Sequence, residues 1–171
     1  METNNLEPTT AEQVIITNAQ LLEHWQGHRK LTRKVIEAFP EKELYTFSVG
    51  GMRTFAELTM EMIDIASPGV EGIATRTWKQ YGDMNGVAHP AAPDTKEGLL
   101  ALWDSVTDKI NNTWPQIDAE RFQEHDVAFG QYEGQIYSTL FYFIDNEIHH
   151  RGQGYVYLRA LGIEPPFFWD R

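Results

Sequence analysis

Nine consecutive residues concentrate groups able to do chemistry: Asp145-Asn146-Glu147-Ile148-His149-His150-Arg151-Gly152-Gln153. They lie inside a longer apolar segment, from Gln135 to Leu161. Through it runs a stripe at helical spacing: Ile136, Thr139, Phe143, Asn146, His150, Gln153, Tyr157 and Leu161. The stripe is apolar at both ends and polar for two turns in the middle. Polar groups facing a core cost free energy unless they are partnered, so the pattern points to a ligand, a metal ion or an internal polar network. Asn146 and His150, four residues apart, project from one helix face. Glu61, placed between Leu58 and Ile65, sits at or beside the core face of another helix. A carboxylate, an imidazole and an amide oxygen are all competent ligands for a first-row divalent ion, and three protein ligands leave positions open for water or substrate. The plainer alternative makes Glu61 a boundary residue whose stem packs while its carboxylate reaches water.

Other groups invite the same question. His24 and His28 stand one turn apart, the spacing of two ligands on one helix, and are expected to flank an apolar face half exposed, with His28 nearer the face. His149 is rotated about 100° from His150 and is expected to be structural, packed or exposed. Glu147 and Arg151 are four apart and are expected to form a surface or interface ion pair. Gly152 and Gly154 are poor helix formers, so a second helix is expected to approach there, within the bundle or across a dimer.

The elements that would position these groups read as helices. Residues 1–8 form a loose polar tail and residues 9–171 a single domain. Thr9-Thr10-Ala11-Glu12 fits a capping box that opens a first helix bearing Ile15, Leu21, Leu22, Trp25, Thr32, Val35, Ile36 and Phe39, stopped by Pro40. Residues 40–52 read as a connection with a Gly50-Gly51 turn. Thr54-Phe55-Ala56-Glu57 caps a second helix bearing Phe55, Leu58, Met62 and Ile65. Ser67-Pro68-Gly69 is expected to kink or briefly break it before the pattern resumes through Val70, Ile73, Ala74 and Trp78. Residues 82–93, with His89, read as a loop. Asp94-Thr95-Lys96-Glu97 caps a third helix bearing Leu99, Leu102, Trp103, Val106 and Ile110, which ends before Pro115. Residues 116–133 read as irregular or briefly extended, with His125 exposed. The last helix closes at Gly162 as a left-handed cap would, and the apolar tail from Ile163 to Trp169 is expected to pack over the bundle. Four helices with apolar faces imply an all-α four-helix bundle, whose sites are built from side chains projecting inward off facing helices.

Composition narrows the classes. With 171 residues and 42% hydrophobic content, the chain is long enough for one domain with a real core. Its 14 basic and 25 acidic residues give a net charge of −11, which argues against a nucleic-acid partner. The absence of Cys removes disulfides, thiol nucleophiles and Cys-rich zinc sites. The N-terminus lacks a signal-peptide pattern, and no apolar run approaches the ~18–20 residues that cross a bilayer. The expectation is a cytoplasmic protein with no membrane partner.

Ile148-His149-His150-Arg151-Gly152-Gln153, followed by Tyr157-Leu158-Arg159-Ala160-Leu161-Gly162 and Pro165-Pro166, resembles the last-helix signature of the DinB-like family. These are bacterial metal-binding four-helix bundles that include damage-inducible proteins and thiol-dependent transferases. Arg53-Thr54-Phe55-Ala56-Glu57-Leu58 resembles the start of the family's second helix, and the order of elements agrees over nearly the whole chain. The resemblance implies a divalent-metal site between the second and last helices, held by one His on the former and a His-x-x-x-His pair on the latter. Those positions fall on Glu61, Asn146 and His150, so one imidazole of the three is kept. Such a set favours a hard ion, Mn²⁺ or Mg²⁺, over Zn²⁺ or Ni²⁺. The alternative is that the ion is absent and Glu61 and His150 form a hydrogen-bonded pair. Two function classes follow from the resemblance. One is a metal-dependent hydrolase or thiol transferase acting on a small molecule beside His150. The other is a non-catalytic stress-related or ligand-binding bundle with a degenerate site. A DNA-binding role conflicts with the charge of −11, and a homodimer is the assembly the resemblance implies.

Overall fold

Three threonines set where the long helices begin. In the computed structural model, which describes residues 15–79 and 90–171, Thr17 opens α1 (Asn18–Ala38), Thr54 opens α3 (Phe55–Thr75) and Thr95 opens α4 (Lys96–Thr113). Each hydroxyl accepts the amide three residues on, which would otherwise be an orphan donor. Gln20 and Glu57 complete reciprocal capping boxes. A one-and-a-half-turn helix, α2 (Glu41–Thr46), interrupts the expected connection. After α4 the chain makes two 3₁₀ turns and a hairpin, β1 (His125–Ala128) antiparallel to β2 (Tyr132–Gln135), with His125 opposite Gln135. β2 then passes directly into α5 (Ile136–Ala160). α1 and α3 each pack against both α4 and α5, which makes the all-α four-helix bundle; α2 leans on α3. No described helix is long and apolar enough to cross a membrane.

Several expectations need correction. The first helix, expected to carry Ile15, starts at Asn18, and Ile15 lies outside it at 96% exposure. Thr9–Glu12, the 1–8 tail and His89 lie outside the described residues. The N-cap of α4 is Thr95, the second residue of the expected box. α3 runs through Pro68 without a break, and tertiary burial of Ile65, Ala66, Val70 and Ile73 on both sides of the proline outweighs the missing amide. Trp78 falls beyond the left-handed C-cap at Arg76 rather than in the helix. The C-terminal tail packs only in part. Pro165 is buried and Ile163 meets the core, but Phe167, Phe168 and Trp169 remain exposed, with Phe167 stacked on Trp169 and Phe168 edge-on to it. Gly162, at φ +76°, closes α5 in a Schellman arrangement: Ile163 N–H reaches Leu158 C=O at 2.9 Å and Gly162 N–H reaches Arg159 C=O at 3.0 Å.

The largest departure is on α5. Glu147 and Arg151 are not a surface pair; they are 2% and 6% exposed, and they face α1. Thr32 donates to Glu147 Oε1 at 2.6 Å, and Arg151 Nη1 donates to Thr32 Oγ1 at 3.1 Å and to His28 C=O at 3.2 Å. On the other side of Glu147 lies Arg29, fully buried, with Nη1 3.8 Å from the carboxylate. Its Nε donates to Thr107 at 2.8 Å, its Nη2 to Trp103 C=O at 3.0 Å, and its guanidinium stacks 3.9 Å over the Trp103 ring. Burial pushes the Glu147 carboxyl above the usual range while Arg29, Thr32 and Arg151 pull the other way. One carboxylate thus compensates two guanidinium groups on different helices. Gly154, one turn on, accepts Phe55 so closely that a Cβ there would sit 2.4 Å from the ring.

Removing the carboxylate takes the nearest counter-charge from both buried guanidinium groups. Glu147→Ala is therefore expected to destabilise the fold by about 3–5 kcal/mol, read as a lowered urea midpoint with helical circular dichroism retained in native buffer.

Candidate functional site

The fold brings the three candidate ligands together. Glu61 lies two turns into α3, while Asn146 and His150 lie one turn apart on α5. His150 Nε2 is 3.0 Å from Glu61 Oε1, and Asn146 Nδ2 donates to the same oxygen at 3.2 Å. The other oxygen, Oε2, is taken by the guanidinium of Arg53. Arg53 precedes the N-cap of α3 and reaches back along the helix; Tyr157 of α5 donates to its carbonyl at 2.9 Å and fixes its backbone. His150 Nδ1 pairs with Gln153 Oε1 at 2.9 Å, and Gln153 in turn approaches His149 and Met52. The contact from His150, then those from Arg53 and Asn146, hold the Glu61 carboxyl down at about 2, against a burial effect that would raise it. Glu61 is an ionised carboxylate set in a ring of donors.

The donor set fits a first-row ion poorly as it stands. Both carboxylate oxygens are engaged by protein donors, one of them a permanent cation. Asn146 presents its NH₂ to Glu61, leaving its buried Oδ1 with no hydrogen-bond partner. Among the described residues no three His, Cys, Asp or Glu side chains gather in a metal-binding group. Glu61 and His150 are bonded directly to each other.

Glu61 also lines a cleft of about 400 Å³ between α3, α5 and the hairpin. Its walls are Ile65, Phe129, Tyr132, Tyr142 and Phe143, with Glu133 at the hairpin. An apolar cavity with a few convergent polar groups is the usual form of a small-molecule site. The cleft was not readable from periodicity, because the hairpin residues that wall it show no amphipathic pattern. Arg53 was equally hidden, since it precedes the helix whose carboxylate it binds.

The remaining histidines divide. His24 is exposed beside a polar groove with Lys30 and Arg171. His28, expected half exposed, is 2% exposed, with Nδ1 3.0 Å from Arg151 Nη2 and Nε2 3.2 Å from Arg171 Nη1. Burial and then the two guanidinium charges lower its pKa to about 3, so it is a neutral part of the core network. His149 is exposed, with its ring edge-on to His150. His125 is exposed as expected.

The sequence model of the DinB family matches residues 1–169, and the chain belongs to that family. Two crystal structures share its fold. A DinB-like protein from Bacillus cereus ATCC 10987 superposes with a TM-score of 0.71 at 16% identity, over 88% of this chain and 97% of that one. A DinB-like protein from Bacillus subtilis superposes with a TM-score of 0.69 at 20% identity, over 89% of this chain and 99% of that one. No curated protein matches the chain.

The depressed Glu61 pKa fixes a pH signature. A group at about 2 in the folded state, against an ordinary 4.5, contributes stability that is full above pH 4.5 and is lost as pH falls towards 2. Glu61→Gln should therefore lower the urea midpoint at pH 7, and the gap to the wild type should close progressively between pH 4.5 and 2.

Proposed function

We propose that the chain is a ligand-binding DinB-family protein in which an Arg53–Glu61–His150 cluster stands where a divalent ion would otherwise sit. The observation that carries this reading is the guanidinium on Glu61 Oε2: it supplies, from the protein, the positive charge an ion would bring. The centre then anchors a small molecule in the adjoining cleft. The cleft's Phe129, Tyr132, Tyr142 and Phe143 suit an apolar body, and the exposed carboxylate of Glu133 at the hairpin favours a neutral or cationic head over an anionic one.

A second reading, a metal-dependent hydrolase or thiol transferase, has one observation in its favour. The unpartnered Asn146 Oδ1, brought round by rotation of the amide, would offer an oxygen beside His150 Nε2 and Glu61. The two readings part in calorimetry of untagged protein with Mn²⁺, Ni²⁺ and Zn²⁺. The ligand-binding reading expects wild-type affinities weaker than about 1 mM, and tighter binding in Arg53→Ala, where Glu61 is released. One tightly held ion per wild-type chain, lost in Asn146→Ala, would establish the second reading instead. In thermal-shift assays, aryl amines should raise the melting temperature more than matched aryl carboxylates, and Thr139→Trp, which fills the cleft, should abolish the difference.

A further inference from the structure

Gly152 has no internal reason to be glycine. Gly154, two residues on, is demanded by Phe55, but a Cβ on Gly152 would meet nothing within 4 Å. Its φ is not in the left-handed region either. It costs helix stability in the middle of a 25-residue helix with nothing inside the chain to compensate. Around it lies an apolar stripe turned away from the bundle: Tyr137, Phe141, Ile148 and Val156, which are 37%, 43%, 38% and 54% exposed. At 100° per residue these four and Gly152 fall within an arc of roughly 100°. Two charged residues share that arc, Asp145 and Arg159, both exposed and neither ion-paired among the described residues.

The positions are symmetric about Gly152. Ile148 and Val156 lie four residues before and after it, and Asp145 and Arg159 seven residues before and after it. Two copies of α5 laid antiparallel about a two-fold axis through Gly152 would therefore place Gly against Gly at the crossing and Ile148 against Val156 on either side. Asp145 would face Arg159 about 10 Å out at both ends. A glycine at the crossing allows close backbone approach, apolar flanks give the burial, and two identical ion pairs fix the direction. A parallel pairing would bring Asp145 to Asp145 and Arg159 to Arg159.

We infer that the outer face of α5 is the surface on which a second copy of this chain docks, antiparallel and centred on Gly152. Sedimentation velocity with light scattering tests it on the full chain. The wild type should be a dimer, and Gly152→Trp and Ile148→Asp should each give a monomer with unchanged helical circular dichroism. Both substitutions are on the exposed face, so folding is preserved and directly checked. Asp145→Arg and Arg159→Asp should each weaken dimerisation by roughly tenfold or more, because each creates two like-charge contacts per dimer. Combining them should restore it. A wild type that stays monomeric at concentrations on the order of 0.1 mM, or a dimer indifferent to Gly152→Trp and Ile148→Asp, would overturn the inference. Failure of the charge swap to restore what the single reversals weaken would overturn the antiparallel pairing.

Discussion

One buried carboxylate determines how the long helices face each other. Glu147 sits between Arg29 of α1 and Arg151 of α5, and Arg29 is itself held by Thr107 and the Trp103 ring of α4. Charges at this depth are costly unless they are paired, so the arrangement tolerates little rotation of any of the three helices. With Glu147 and Arg151 turned to α1, residues 146 and 150 are carried round towards α3, and Asn146 and His150 meet Glu61 there. The polar centre facing the cleft is thus oriented by a second polar centre facing the opposite neighbour. α5 is polar on two sides for different reasons.

That duality explains what the sequence revealed and what it concealed. Helix starts at Thr54 and the end at Gly162 were legible because capping and left-handed closure are local chemistry. The meeting of Glu61 with His150 was legible because each lies on or beside an apolar stripe, and bundle geometry leaves few directions for such residues to face. Glu147 and Arg151 were misplaced because an i, i+4 pair of opposite charges has the same spacing on a solvated face as in a core. What distinguishes the two is a third charge, Arg29, far away in the chain and flanked by residues that gave no sign of it. His28 followed the same error, since its burial depends on Arg151. The helix through Pro68 shows the converse, a local breaking signal overruled by packing on both sides.

The Glu61 centre and the family it belongs to stand in an informative relation. The DinB bundle supplies the scaffold, and the two Bacillus proteins share it at identities low enough that only the fold is common ground. What differs between members can then reside in a few inward side chains. Here an amide and a carboxylate accompany the single imidazole, and an arginine from before the helix reaches the carboxylate. Such inward side chains can change with no change in the helices themselves.

The passage of β2 into α5 without an intervening residue has a mechanical consequence. Gln135 ends the strand, Ile136 begins the helix, and the Ile136 amide is tied at 3.0 Å to Glu124 C=O at the base of the hairpin. The cleft's outer wall and the helix bearing His150 are therefore one continuous lever. Displacing the hairpin loads the first turn of α5 rather than a slack joint, so the mouth can widen only by bending the strand pair or fraying that turn. The same continuity prevents the hairpin from being exchanged as a free loop: a different wall for the cleft would have to arrive with its own beginning of α5.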